Sequence, residues 1–257
     1  MAELETGLVE GPRRAIIVGA SSGIGAALAR RLAAEGYTLV LLARRSDLLA
    51  ALCAEINSEA GEIRAISYTH DVTNYDSAPG LFQEIITKLG GLELFIYNSG
   101  ISLPSGMKHY EFEKDRHVTE VNYLGALAWL NPVAAMFYKQ KAGQIVGISS
   151  VAGERGRVGN PSYNASKAAL NCYMDSLRNR LTRRGVHVLT VKPGYVLTEM
   201  TSGLKNPIFA IPIERAAADI CKAIHRRRQV IYTAPIWGLV MLVVRNIPSV
   251  IFRRLSF

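Results

Sequence analysis

The sequence predicts one α/β domain, a doubly wound parallel sheet of about seven strands with helices on both of its faces. Apolar segments typical of strands alternate with helical patterns along most of the chain, and the strand candidates are almost continuously apolar. Such alternation is typical of β-α-β units, and strands of this kind are buried on both sides. No internal repeat, low-complexity block or Pro/Gly/Ser-rich linker divides the sequence, which favours a single domain.

The first half of the chain holds three pairs of a strand and a helix. They are RAIIVGA with AALARRLAAEG, TLVLLAR with SDLLAALCAEINSEAG, and IRAISYTHDV with SAPGLFQEIITKLGG. Each pair joins a short apolar run to a segment whose apolar residues recur with helical spacing.

The second half continues the pattern with longer helices. The strand LELFIYNSG is followed by one long helix candidate, EKDRHVTEVNYLGALAWLNPVAAMFYKQKAG. QIVGISS precedes the helix SYNASKAALNCYMDSLRNRLTRRG, and VHVLTVKPG and QVIYTA are the remaining strands. In a doubly wound sheet ligands bind beyond the carboxyl ends of the strands, so we expect the site there.

Composition and charge limit the classes of protein to which this chain can belong. Of 257 residues, 49% are apolar and 20% are charged, which supports a folded core. The net charge of +9 comes without an aromatic–basic motif, so it indicates a solvated basic surface rather than nucleic-acid binding. Cys53, Cys172 and Cys221 are far apart and the histidines lack ligand spacing. We therefore expect no disulfide framework and no metal, and a reducing cytoplasm fits best.

The segment GASSGIG, from Gly19 to Gly25, joins the first strand to the first helix. Its spacing differs from the G-x-G-x-x-G of the general dinucleotide fingerprint. Glycines let the backbone approach a pyrophosphate, whose charge is favoured by the amides at a helix start. By itself the segment is compatible with a cofactor cradle or with a ligand-free tight turn.

The second strand ends in LLARRSD, with Ala43, Arg44 and Arg45 where a dinucleotide fold usually has an acidic residue for the adenosine ribose. Arginine suits a 2′-phosphate, which a carboxylate would repel. The pattern predicts NADP(H) rather than NAD(H). The other interpretation is two surface arginines at a helix start.

The segment SYNASKAAL places Tyr163 and Lys167 four residues apart on one helix face. A phenol can protonate the alkoxide formed in carbonyl reduction, and a neighbouring ammonium is expected to lower the phenol pKa. Ser150, thirteen residues before Tyr163, ends a strand and can hold the same carbonyl oxygen. Each feature alone is weak, because Y-x-x-x-K arises by chance and hydroxyls often finish strands.

Together, GASSGIG, YNSG, the SS before Y-x-x-x-K, and KPGYVLTEM resemble the short-chain dehydrogenase/reductase family over residues 13–234. The resemblance implies a Rossmann-type fold and a catalytic tetrad of Asn122, Ser150, Tyr163 and Lys167. In family terms Tyr163 is the acid/base and Ser150 orients the carbonyl. Lys167 binds the nicotinamide ribose and tunes the tyrosine, while Asn122 supports a proton-relay water.

The same resemblance implies cofactor-binding residues at the ends of the strands. Asp71 is expected at the adenine, Asn98 near the adenosine ribose, and Val196 and Thr198 at the nicotinamide amide. The implied set is Gly19, Ser21, Ser22, Gly23, Ile24, Gly25, Arg44, Asp71, Val72, Asn98, Ser99, Gly100, Tyr163, Lys167, Pro193, Gly194, Val196 and Thr198.

The reaction implied is the reversible, NADPH-dependent reduction of a ketone or aldehyde, in a cytoplasmic homo-oligomer that is a dimer or a tetramer. The alternative is a non-enzymatic NADP-binding sensor or scaffold, although a scaffold needs no proton donor beside its cofactor. Loop residues favour an apolar or lipid-like small-molecule substrate. They are Leu103, Met107, Tyr195, Met200, Leu204 and Phe209.

The expected organisation is a flexible N-terminal lead over 1–12, an NADP-binding catalytic domain over 13–234, and an apolar, basic tail over 235–257. The lead lacks the features of a secretory signal. The apolar run VIYTAPIWGLVMLVV is too short to span a bilayer. Arginine clusters bracket this run, so the tail is expected either to cover the core or a dimer surface, or to contact a membrane peripherally.

Overall fold

In the computed structural model, which describes residues 13–255 apart from Pro104, Ser105, Met107 and Asn206, seven strands form one sheet. They are β1 (Arg14–Val18), β2 (Thr38–Ala43), β3 (Ala65–Thr69), β4 (Leu94–Tyr97), β5 (Gln144–Ile148), β6 (His187–Pro193) and β7 (Val230–Thr233). Their order is β3-β2-β1-β4-β5-β6-β7, and every pairing is parallel. The predicted fold class is confirmed.

Helices connect successive strands and follow the last one. They are α1 (Gly23–Ala34), α2 (Ser46–Ala60), α3 (Ala78–Leu89), α4 (Phe112–Thr119), α5 (Gly125–Gln140), α6 (Pro161–Leu181), α7 (Ile213–His225), α8 (Ile236–Asn246) and α9 (Ser249–Phe252). The single long helix predicted between β4 and β5 is interrupted, because a π-helical turn over Glu120–Leu124 joins α4 to α5. Such turns are frequent at functional sites, and this one contains Asn122.

The alternation of side chains along β1 divides the core into two layers. Ala15 and Ile17 pack in a cluster with residues of α1, α2 and α7. Ile16 and Val18 pack on the other face of the sheet with residues of α3, α5 and α6. Burial of each large aliphatic side chain stabilises the fold by about 1.5–3 kcal/mol. The sheet is thus buried on both sides, as the continuous apolar strands predict.

The chain reverses its direction of winding at β1, because β2 and β4 lie on opposite sides of that strand. The connections after β1 and β4 therefore leave the sheet toward opposite faces, and a crevice opens between their carboxyl ends. Gly19 and Asn98 directly follow these two strands. The topology alone brings the glycine turn and the YNSG segment to the same place.

The tail forms α8 and α9, and one side of α8 belongs to a third apolar cluster. Trp237, Met241 and Val244 are buried there against Val151 and Val196. One side of the tail helix thus packs on apolar residues of the rest of the chain. The opposite side of α8 is exposed.

Glu154 and Arg155 join the tail to the loop after β5. The Glu154 carboxylate pairs with Lys192, accepts a hydrogen bond from the Tyr232 hydroxyl at 3.1 Å and pairs with Arg245 at 3.2 Å. Its side chain is only 4% exposed, so these partners are needed to offset its desolvation.

Arg155 reaches the end of α8. Its Nη1 donates to the carbonyl oxygens of Val244 and Ile247, each at 2.6 Å, and its guanidinium lies 3.8 Å from the centre of the Phe252 ring. The last carbonyls of a helix lack intrahelical donors, and here the Arg155 guanidinium donates hydrogen bonds to them. The tail is therefore bonded to the segment that follows Ser150.

We expect Arg155→Met to loosen the tail, because methionine keeps an apolar stem but removes the donors. Loss of these charge-assisted hydrogen bonds should lower the free energy of unfolding by about 1–3 kcal/mol. Hydrogen exchange should quicken in α8 and α9. Arg184→Met is the matched control, since Arg184 contacts the exposed Tyr138 far from the tail. Unchanged exchange in α8 and α9 would show that Arg155 does not hold the tail.

Candidate active site

A cavity of about 790 Å³ lies at the carboxyl ends of the strands. Its walls come from the turn after β1, the ends of β2 to β6 and the start of α6. The predicted residues that line it are Gly19, Ser21, Ser22, Gly23, Ile24, Arg44, Asp71, Val72, Asn98, Ser99, Gly100, Ser150, Tyr163, Lys167, Pro193, Gly194, Val196 and Thr198. Gly25 and Asn122 are outside this lining and lie behind the wall.

The glycine turn is tightly packed. Gly19 has a φ of +90°, and a Cβ there would lie 2.5 Å from the backbone nitrogen of Ser99. A Cβ on Gly25 would overlap the carbonyl oxygen of Gly19, which accepts a hydrogen bond from Asn98 Nδ2 at 2.6 Å. Gly25 therefore allows α1 to pack against the turn, while the turn itself lines the cavity. This bare backbone at the start of α1 fits a dinucleotide pyrophosphate.

Two arginines lie where β2 ends. Arg44 Nη1 is 3.8 Å from Asp71 Oδ2. Arg45 donates to Ser21 Oγ at 3.3 Å, also donates to Ser22 Oγ, and pairs with Glu199 at 3.1 Å. Both arginines line the cavity, although the sequence assigns only Arg44 to the cofactor. Arg45 directly follows Arg44 in the sequence, and this adjacency could have identified it as a second cavity residue.

Ser150, Tyr163 and Lys167 share one wall of the cavity. The Ser150 side chain accepts a hydrogen bond from the Ala152 amide at 3.0 Å and donates to the Pro193 carbonyl at 3.5 Å, and its hydroxyl acts to lower the pKa of the Tyr163 phenol. Lys167 Nζ donates to the carbonyl oxygen of Ile148 at 3.0 Å and lies 5.8 Å from the centre of the Tyr163 ring. The structure brings together the hydroxyl, phenol and ammonium that the spacing predicts.

The electrostatics of this wall differ from the expectation that Lys167 lowers the pKa of Tyr163. Burial raises the pKa of the Tyr163 phenol, and the groups that oppose this are the Ser150 hydroxyl and the positive charge of Arg157. Burial also lowers the pKa of the Lys167 ammonium to about 8. The reason is geometric, because the ammonium bonds to the end of β5 instead of to the phenol.

Asn122 is fully buried in the π-helical turn. Its Oδ1 accepts a hydrogen bond from the Ile101 amide at 2.8 Å, and its Nδ2 donates to the Ile101 carbonyl and to Ser166 Oγ, each at 3.0 Å. The side chain thus joins the loop after β4 to α6. A role for Asn122 in holding a relay water stays a prediction.

Trp237 of the tail lies against the loop after β6, which the sequence does not predict. A Cβ on Gly194 would overlap the Trp237 indole, so only glycine lets the two pack. The ring is also perpendicular to Tyr195 at 5.6 Å and to Phe209 at 6.1 Å. The tail therefore supports the wall formed by Pro193 and Gly194.

Four of the apolar residues predicted for the substrate line the cavity, namely Leu103, Tyr195, Met200 and Leu204. Phe209 packs on Trp237 instead and is 51% exposed. Met107 lies outside the described residues. Arg157 and His70 also line the cavity, and the sequence pattern assigned neither to it.

Within the described part of the chain, no group of three His, Cys, Asp or Glu side chains is placed to hold a metal ion. The helices described here are all too short or too polar to cross a membrane.

Comparison with known proteins agrees with this geometry. Residues 13–207 match the sequence profile of the family described as short chain dehydrogenase. An uncharacterized oxidoreductase of Myxococcus xanthus is 36% identical over 196 residues, which are 76% of this chain and 77% of the relative. A 3-oxoacyl-[acyl-carrier-protein] reductase of Synechocystis is 34% identical over 78% of this chain and 82% of its own.

A solved structure is similar over nearly the whole chain. The short-chain dehydrogenase from Sphingobium yanoikuyae in complex with NADPH is 25% identical, with a TM-score of 0.79 over 92% of this chain and 97% of its own. The sequence profile and the relatives confirm the resemblance first seen in the motifs. The chain belongs to the short-chain dehydrogenase/reductase family of oxidoreductases, which use a nicotinamide cofactor.

Proposed function

We propose that this protein is an NADPH-dependent reductase of an apolar ketone or aldehyde. The observation that carries the proposal is the shared wall on which Ser150, Tyr163 and Lys167 meet, in the same cavity as the glycine turn. The reductases among its relatives, such as the Synechocystis protein, act on 3-oxoacyl groups according to their names. That chemistry is compatible with the apolar side of this cavity.

The protein side of the reaction is proton donation to the carbonyl oxygen. The cofactor, when bound, supplies the hydride. Ser150 donates a hydrogen bond to the carbonyl oxygen, and Tyr163 transfers its proton to the same atom. The raised pKa keeps the phenol protonated at neutral pH, which is the form that reduction requires. Lys167 has three donors, and among the described residues Ile148 accepts from one of them, so the other two are proposed to bind ribose hydroxyls.

Cofactor preference is proposed to depend on Arg44, the first of the two arginines after β2. A guanidinium group suits a 2′-phosphate as a charged hydrogen-bond donor. Arg44 is 54% exposed on its side chain and free to turn toward a phosphate, since its contact with Asp71 is long. Arg45 instead holds Ser21 and Ser22 of the turn that both NADPH and NADH would use.

Substrate class is proposed from Leu103, Tyr195, Met200 and Leu204, which give the cavity an apolar side. A carbonyl group on a chain or ring of mainly apolar atoms would bury against them. The predicted homo-oligomer and cytoplasmic location stay predictions.

We also propose a peripheral contact between the tail and an anionic bilayer. Leu239 is 60% exposed and Val243 is 59% exposed on the outer side of α8, and Val250 and Ile251 are exposed nearby. Arg253 and Arg254 follow and pair with no carboxylate among the described residues. An apolar face beside arginines suits a surface of anionic lipid, whereas a second copy of this basic chain would bring like charges together.

Tyr163→Phe should lower turnover by at least about 100-fold, because it removes the proton donor and little else. Oxidation of NADPH is followed across a chain-length series of ketones, 3-oxoacyl esters, sphingoid ketones and steroids. NADPH binding, measured by fluorescence titration, should change little. Tyr173→Phe is the control on the same helix, since that hydroxyl bonds Asn131 at an exposed position. A Tyr163→Phe enzyme with near-normal turnover would refute the assigned role.

Arg44→Ala should weaken NADPH binding by about 10- to 100-fold, the loss expected for a charged hydrogen bond, and leave NADH binding nearly unchanged. Arg45→Ala should weaken both cofactors, because Ser21 and Ser22 lose their partner. Arg30→Ala, which removes an exposed arginine paired with Glu55, is the control. Equal losses for both cofactors on Arg44→Ala would contradict the proposed preference.

The membrane contact is tested by sedimentation with vesicles of phosphatidylcholine, with and without phosphatidylglycerol, at low and high salt. The protein should sediment with the anionic vesicles at low salt, and Leu239→Glu with Val243→Glu should abolish this. Ile63→Glu changes a residue that is 78% exposed elsewhere and should have no effect. If the tail variant instead changed only the oligomeric state, the face would be a subunit interface and the proposal would fail.

A further inference from the structure

Arg157 is a cation at the wall that carries the reacting groups, and it has no carboxylate partner among the described residues. It lies in the loop between the turn after Ser150 and α6, is partly buried, and lines the cavity with Asn160 and Tyr163. Its Nε is buried without a hydrogen-bond partner. Across the described residues no carboxylate pairs with its guanidinium. Arg155, two residues earlier, uses its guanidinium on backbone carbonyls of the tail.

The charges around the cavity are arranged unevenly. Its acidic lining residues, within the described chain, are Asp71 and Glu199, and both lie beside the arginines after β2. The other end carries Arg157 and Lys167 without a carboxylate in the described lining. The positive charge of Arg157 is felt at the phenol, where it works against the rise in the Tyr163 pKa. This end of the cavity is therefore suited to a negative group.

A buried guanidinium N–H without an acceptor is destabilising, and such a donor is normally satisfied in a folded protein. Arginine offers a planar set of donors that matches a carboxylate, and the charged pair is stronger than a neutral hydrogen bond. The apolar residues Leu103, Met200 and Leu204 line the same cavity. A ligand that satisfies both features has a carboxylate and an apolar chain.

We propose that Arg157 binds a carboxylate of the substrate, so that the substrate class is an oxo acid with an apolar chain. This rests on the proposed function for the ketone, which Ser150 and Tyr163 hold. Arg157 is then a specificity-determining residue, because it selects the acid over the corresponding ester or amide. The alkyl chain lies against the apolar lining residues.

The test measures binding without turnover, so its result is independent of the proposed reaction. Octanoate and octanamide have the same chain and nearly the same shape, and they differ in charge. Isothermal titration calorimetry is done on the full chain, alone and with NADP⁺. The protein should bind octanoate at least about tenfold more tightly than octanamide, the lower end of the range for a charged hydrogen bond.

Arg157→Gln should remove this preference by weakening octanoate and leaving octanamide within about twofold, since only the charged contact is lost. Arg157→Lys should keep part of it, because the charge remains while the planar donor set is lost. Arg184→Gln, an exposed arginine far from the cavity, is the control. Equal binding of the two ligands by the unchanged protein, or a preference that survives Arg157→Gln, would overturn the proposal.

A kinetic arm separates this proposal from the proposed function. 5-Oxodecanoate and its methyl ester are compared by kcat/KM in the unchanged protein and in Arg157→Gln. Loss of the acid's advantage over the ester through KM supports the carboxylate contact, whatever change in kcat the two compounds share because the charge near Tyr163 is removed. If neither compound is reduced while octanoate is still bound through Arg157, the reaction or its substrate range is wrong and the carboxylate contact stands. Reduction of both at equal rates, with no selective effect of Arg157→Gln on the acid, refutes the contact and leaves the reaction intact.

Discussion

The contact between the end of β5 and the first turns of α6 determines the arrangement of the site. A Cβ on Gly153 would lie 2.5 Å from the carbonyl carbon of Lys167, so only glycine lets the turn after Ser150 approach the helix this closely. Ser149 Oγ donates to the Lys167 carbonyl at 3.1 Å, and Lys167 Nζ donates back to Ile148 at 3.0 Å. These bonds bring Ser150 beside Tyr163. They also bury the ammonium, which is why its pKa falls to about 8.

Much of the fold and of the site could be predicted because the relevant signals are local. Apolar strands, helical spacing and the glycine turn are properties of short segments, and the order of the strands places their carboxyl ends together. What could not be predicted depends on side chains that meet across the fold. Gly25 packs against a carbonyl instead of lining the cavity, Asn122 bonds the loop after β4, and the π-helical turn around it leaves no trace in the hydrophobic pattern. Trp237 reaches Gly194 from the far end of the chain.

The electrostatics of Tyr163 show why helical spacing is an incomplete guide to chemistry. Residues four apart share a helix face, but spacing does not say where a flexible ammonium will find its acceptor. Lys167 turns to β5, and the cation that acts on the phenol is Arg157, from a loop whose conformation the sequence does not reveal. A protonated phenol beside a serine hydroxyl is able to give a proton to a carbonyl oxygen.

The two sides of α8 in the tail differ in their surroundings. Trp237, Met241 and Val244 are buried against the loops that carry Ser150 and Gly194, so α8 could leave its place only by exposing this cluster. A contact with lipid must therefore use the outer side, with the helix still docked. Phe209, in the loop that follows Met200 and Leu204, packs on Trp237, so that loop and α8 are neighbours. The proposed contact with lipid on the outer side would leave the buried side of α8, and the loop that packs on it, in place.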